Sequence, residues 1–199
     1  MTQSRHVCRS RVAKRGFTLI ELVVTIALLG VLFSLAVPSF SAWISNAKVR
    51  SVADSLQNGL RVAQAESMRR NRQVVFSLTN AQPALGAAAT ANGKYWSAQT
   101  VAQFSDAVAE FLQGGALSDV ASGVTITSPA VAVCFNSNGR LTTNASATGV
   151  PNASCAAANA EFVIAKPGAD RSLSVRVGLG GQVRMCDPQR SATTSSDGC

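Results

Sequence analysis

Histidine is nearly missing from this 199-residue chain, and the single one, His6, lies in a basic stretch at the N-terminus. The rest of the sequence therefore has no imidazole for a Ser-His or Cys-His nucleophile or for a histidine-containing zinc site. Close cysteine pairs are missing too. Cys134, Cys155, Cys186 and Cys199 are separated by twenty, thirty and twelve residues with no C-x-x-C, which speaks against structural zinc and for disulfides. Neither a G-x-x-x-x-G-K-[ST] loop nor a G-x-G-x-x-G fingerprint occurs. Acids are few, ten against eighteen Lys and Arg. Two of them, Asp54 and Glu66, stand four residues from an arginine, the pattern of solvated ion pairs rather than of catalytic carboxylates. These absences argue against an enzyme and imply neither metal nor cofactor.

The formal charge of +8 suggests a nucleic-acid binder at first. Five of the basic residues, Arg5, Arg9, Arg11, Lys14 and Arg15, crowd into the first fifteen positions, however, and beyond residue 16 thirteen Lys and Arg face ten acids. The global basicity is mostly a signal of topology. After this cluster come twenty-one residues, Phe17 to Val37, with one charge, Glu21. That is the length of a helix crossing a hydrocarbon core of roughly 30 Å. By the positive-inside bias the basic flank stays cytoplasmic and the chain after Val37 faces outward. A carboxylate within such a span costs up to about 2.5–3.5 kcal/mol on insertion scales and calls for a partner. A secretory signal with cleavage after Ser34-Leu35-Ala36 competes with this reading, but an acid in a segment to be discarded is a poor choice. An ordinary single-span anchor also competes, and it leaves Glu21 unexplained.

The basic leader, Gly16-Phe17-Thr18-Leu19-Ile20-Glu21 and the apolar run to Pro38 together resemble the N-terminus of type IV prepilins and type II secretion pseudopilins. The resemblance implies that a prepilin peptidase cuts after Gly16 and methylates Phe17. It also implies that Glu21 neutralises the terminal amine of a neighbouring subunit during assembly.

Beyond Pro38 the pattern stays helical. Val49, Val52, Leu56, Leu60 and Ala63 fall on one side, and Arg50, Asp54, Gln57 and Arg61 on another. Arg50 with Asp54 and Glu66 with Arg70 are i,i+4 pairs, Gly59 costs roughly 1 kcal/mol relative to Ala, and Asn71 is a suitable stop. From Gln73 the period is two. Strands are expected at 74–78, 94–97, 124–126, 131–135, 161–164, 173–177 and 183–185, separated by Gly, Asn and Pro turns. Phe104, Ala107, Val108, Phe111 and Leu112 suggest a short helix, and 81–92 and 144–159 suggest mobile surface loops. The fold class is α+β: a long N-terminal helix packed on an antiparallel β-sheet domain. By this reading the chain divides into a leader (1–16), a transmembrane helix (17–38), an amphipathic helix (39–72) and a periplasmic β-rich domain (73–199).

Arg61 to Val74, Phe135-Asn-Ser-Asn-Gly139-Arg140 and Gly181-Gln-Val-Arg184-Met-Cys186 narrow the likeness, since in this order they resemble the GspH/FimT branch of minor pilins and pseudopilins. That implies a structural minor subunit of a type IV pilus or, alternatively, the H-type minor pseudopilin of type II secretion, acting in protein export. Its expected partners are other pilins or pseudopilins, the peptidase and an inner-membrane assembly platform. Some members bind DNA through a G-R-x-R motif, of which this chain keeps only Gly181 and Arg184. If Val175 pairs with Met185, Arg176 stands opposite Arg184, and like charges so placed need either acids, such as Asp187 or Asp170, or an anionic ligand such as DNA. Arg171 and Arg190 complete that candidate patch. Four cysteines allow three pairings. Cys134 with Cys155 and Cys186 with Cys199 are favoured because each closes a loop of turn-forming residues.

If Gly16 to Phe17 is the scissile bond, the intact mass of membrane-extracted protein should correspond to a chain beginning at methylated Phe17, and Gly16→Val should block cleavage. A chain starting at Val37 would mean a secretory signal instead.

Overall fold

A stripe of apolar residues on one side of a helix has to be covered, and the structure buries Val49, Val52, Leu56, Leu60 and Ala63, each at most 1% exposed. The structure is a computed structural model, and it describes residues 16–102, 107–118, 121–144 and 149–199. The chain divides into two units, Met1–Phe40 and Ser41–Cys199.

Helix α1 runs Leu19–Arg70. In the first unit Leu19, Ile20, Leu22, Leu28, Leu32 and Phe33 are all exposed. The most apolar window of the helix reaches a mean hydropathy of 2.5, long and apolar enough to cross a membrane. Position 38 is helical, so Pro38 does not end the helix. The helix stops as its sequence suggests. Asn71 adopts φ 50°, its N–H bonds the Met68 carbonyl, and the Arg72 N–H bonds the Ser67 carbonyl, which is the Schellman arrangement.

In the second unit eight antiparallel strands form two four-stranded sheets rather than one. The strands are β1 (Val74–Thr79), β2 (Tyr95–Thr100), β3 (Phe111–Ala116), β4 (Thr125–Thr127), β5 (Ala132–Phe135), β6 (Ala160–Ala165), β7 (Leu173–Val177) and β8 (Val183–Cys186). The first sheet has the order β3-β2-β1-β5 and the second β4-β6-β7-β8. Both sheets share one core with α1. Phe76, Trp96 and Phe135 come from the first sheet, and Phe162, Ile164 and Val175 from the second.

Two expectations are corrected. The segment around Phe111 is a strand, not a helix, because Gln113-Gly114-Gly115 extends along β2, with one irregularity at Ala98/Gln99; Phe104 lies outside the described residues. The loops 81–92 and 144–159 are not wholly surface. Ala89, Val150 and Cys155 join Val75, Ala132 and Cys134 in a second apolar cluster. The cross-strand pair Val75 and Cys134 belongs to this cluster, whereas the neighbouring Val74 and Phe76 belong to the core with α1. Gln99, 1% exposed, ties the two loops together: its Oε1 accepts from the Gly86 N–H and its Nε2 donates to the Gly149 carbonyl. All six residues of β1 are consequently buried.

Gly59 is a packing device rather than a defect of the helix. A methyl group there would lie 2.7 Å from two ring carbons of Trp96, which stacks on Phe76 at 5.7 Å between centroids. On another side the Trp96 indole nitrogen lies 2.6 Å from where a Cβ on Gly115 would sit, so the ring has little room to retreat. Another close approach joins the turns of the two sheets. Gln64 donates from Nε2 to the Gly139 carbonyl, the Leu141 N–H bonds the Leu179 carbonyl, and any Cβ on Gly181, at φ +89°, would collide with the Gly139 carbonyl. The sequence stretches 135–140 and 181–186 thus meet on one helix side chain.

Gly59→Ala should lower stability by about 1–2 kcal/mol in thermal or denaturant unfolding, because overpacking against Trp96 exceeds the roughly 1 kcal/mol of helix propensity gained. An unchanged or raised midpoint would refute this reading of Gly59.

The end of α1 also predicts a pH dependence. Glu66 accepts from Arg69 and Arg70, and these bonds lower its pKa to about 2. A depressed carboxylate stabilises fully above its ordinary value near 4.5 and loses that contribution as pH falls toward 2. Glu66→Gln should therefore narrow the gap in melting temperature to the parent between pH 5 and pH 2.

Candidate functional site

Two places carry the residues singled out by the sequence. The first is the start of α1. Gly16 and Phe17 precede the helix, Phe17 is 84% exposed, and no heavy atom beyond its neighbours lies within 4 Å of a Cβ built on Gly16. Thr18 caps the helix: its Oγ1 accepts from the Glu21 N–H at 3.3 Å and its carbonyl from the Leu22 N–H. Thr18-x-x-Glu21 has the spacing of a capping box, a signal that is legible in the sequence. Glu21 consequently sits in the first turn, where the helix dipole favours negative charge. Among the described residues it forms no ion pair.

The second place is the hairpin β7–β8 with the loop that follows. Val175 stands opposite Met185, Val177 opposite Val183 and Arg176 opposite Arg184. The Gly178 N–H bonds the Gln182 carbonyl across a three-residue turn. Val175 and Val177 face the core, which sends the two arginines to the other face. The like charges are separated by what each one meets. Arg176 Nε donates to Glu161 Oε1 at 3.0 Å and its Nη1 to the Cys199 carbonyl, while Arg184 Nη2 donates to the Gly198 carbonyl at 2.7 Å. Glu161 lies directly across β6–β7 from Arg176. The Ser174 hydroxyl and then the Arg176 guanidinium hold its carboxyl below the usual range.

The other two arginines flank the same loop. Arg190 Nη1 bonds both oxygens of Asp197, and Arg171 approaches Asp187 and Asp197 at 3.9 Å. Ser195 and then Arg190 hold Asp197 below its ordinary pKa. Asp187, with its side chain 4% exposed, accepts from the Gln189 N–H. Asp170 pairs with no arginine among the described residues; it exchanges two hydrogen bonds with Asn46 of α1. Sequence reasoning missed Glu161 and Asp197. The alternating pattern of β6 and β7 could have indicated Glu161, whereas Asp197 sits in an irregular loop with no periodic signal.

The cysteines pair as Cys134–Cys155 and Cys186–Cys199. The first pair joins β5 to the loop over the second apolar cluster, and the second closes residues 187–198 beneath the arginines. Among the described residues no group of three His, Cys, Asp or Glu side chains is placed to hold a metal.

Comparison with known proteins agrees with this architecture. Residues 11–37 match the prokaryotic N-terminal methylation motif, and residues 52–181 match the family described as Type II transport protein GspH. Fimbrial protein EcpC of Eikenella corrodens is 38% identical over 82 residues, 41% of this chain and 50% of that protein. The type IV major fimbrial protein FimA of Dichelobacter nodosus is 36% identical over 56 residues, 28% of this chain and 34% of that one. The chain thus spans half or less of the length of these curated relatives. The type IV minor pilin FimU of Pseudomonas aeruginosa superposes with a TM-score of 0.50, covering 72% of this chain and 94% of that one at 17% identity, a likeness of fold. With the GspH match covering well over half of its length, behind an N-terminal methylation motif, the chain belongs to the GspH/FimT family of pilin-like proteins, which are structural subunits and not enzymes.

Proposed function

We propose that this protein is a minor subunit of a type IV pilus. In this reading it is a prepilin with a cytoplasmic N-terminus, cut after Gly16, methylated on Phe17 and held in the inner membrane until an assembly platform moves it into a filament with other pilins. The observation that carries the proposal is the start of α1, where Thr18 fixes Glu21 in the first turn ahead of apolar residues that the described part of this chain leaves exposed. Lipid covers such a surface before assembly, and the helices of neighbouring subunits cover it afterwards. A neighbour's terminal amine then supplies a cation for Glu21. Energy for assembly comes from an external motor, so the subunit needs no active site.

The curated relatives named for type IV fimbriae support the pilus over the export machine. The alternative, an H-type minor pseudopilin of type II secretion, has its support in the name of the matched family. The internal contacts of Arg171, Arg176, Arg184 and Arg190 count against DNA binding by these residues while the C-terminal loop is seated.

In a deletion strain, piliation and twitching should fail while secretion continues; the reverse pattern would establish the export role. Complementation with Glu21→Ala should give protein that is inserted and processed normally but is recovered in sheared filaments at a small fraction of the parental level. Normal recovery would remove the pairing argument.

A further inference from the structure

All four arginines of the last hairpin region are engaged by one short segment, and the partners differ in kind. Arg190 and Arg171 meet carboxylates, Asp197 and Asp187. Arg184 meets a neutral acceptor, the Gly198 carbonyl, and has no acid partner among the described residues; Arg176 divides its donors between Glu161 and the Cys199 carbonyl. A guanidinium bonds an anionic oxygen roughly twice as strongly as a neutral one. The Gly198 carbonyl therefore holds Arg184 because the closed loop keeps it there at high effective concentration.

The tether is visible. Cys199 is joined to Cys186 at the end of β8, the Asp187 N–H bonds the Asp197 carbonyl, and the Cys199 N–H is shared by the Asp187 and Arg190 carbonyls. Beside the seated loop, a groove of about 410 Å³ is lined by Glu161, Arg176, Gln182 and Arg184.

We propose that residues 187–199 act as an internal occupant of an anion-binding face on β6–β8, and that the Cys186–Cys199 disulfide keeps this face closed. The ligand excluded by the loop is a linear chain of phosphates, which offers several anionic oxygens at once to the two guanidiniums. Withdrawal of the loop removes the two competing backbone oxygens and leaves Arg176 and Arg184 in the groove with Glu161. Affinity in the closed form is scaled down by the small fraction of molecules with the loop displaced.

The test uses the full chain in detergent, with inorganic polyphosphate in one arm and duplex DNA in the other, titrated from low to moderate salt. The double variant Cys186→Ser with Cys199→Ser, which keeps Cys134–Cys155, should bind at least one of the two about tenfold more tightly than the parent at low salt. Its slope of log K against log salt for duplex DNA should steepen by about 1.8, the value for two added phosphate contacts. Adding Arg176→Ala and Arg184→Ala should abolish the gain. Asp197→Asn, with the disulfide intact, should give a smaller gain in the same direction, and it serves as the test if circular dichroism shows the cysteine variant unfolded. A gain in one arm alone identifies the phosphate source. Parental affinity in both arms for the folded variants, or a gain that survives the arginine substitutions, overturns the proposal.

Discussion

The second unit depends on one helix face being covered from two directions. Val49, Val52, Leu56, Leu60 and Ala63 are too apolar for water, and neither four-stranded sheet alone encloses them. Phe76, Trp96 and Phe135 approach from one sheet and Phe162, Ile164 and Val175 from the other, so the helix is the common wall of a single core. Gly59 sets how close that wall can come to Trp96, and Gln64 sets where the turns of the two sheets meet. Loss of the helix would leave two sheets with apolar faces and little reason to stay together.

Much of this is legible in the sequence because it is periodic. The buried stripe of α1, the Asn71 stop and the seven expected strands follow from spacing and turn residues, and each reappears within a residue or two, except that β2 runs three residues further than expected, to Thr100. The division into two sheets has no such mark, since a strand does not state in its own residues which neighbour it will pair with. β3 departs from the expected helix because Phe111 and Leu112 suit a strand as well as a helix, and Pro83 and Trp96 occupy the space that side chains at Gly114 and Gly115 would need. The cover over the outer face of β1 was hidden for another reason: Ala, Asn and Ser carry little hydropathy, and burial there comes from a disulfide and the buried amide of Gln99.

The candidate sites divide along the same line. At the N-terminus the functional reading rests on local chemistry, a glycine, a cap, an acid in the first turn and an apolar run, and all of it is contiguous. In the last hairpin the register could be worked out from alternation, but the fate of its charges could not. Glu161 belongs to another strand, and Gly198 and Cys199 act through backbone carbonyls that no side-chain pattern announces. Four basic residues in sequence looked like a surface for anions; in the fold they form the clasp of a loop.

The two tryptophans turn this architecture into a natural pair of optical probes. Trp96 is 4% exposed, stacked on Phe76, with an indole N–H that finds no acceptor among the described residues, so its emission belongs to the dry interior and follows the integrity of the shared core. Trp43, 65% exposed on α1, reports instead on whatever comes to lie against the helix six residues beyond the apolar run. One emission spectrum therefore separates two events: a blue shift with the Trp96 component constant marks a new neighbour at the helix, and a red shift marks opening of the core.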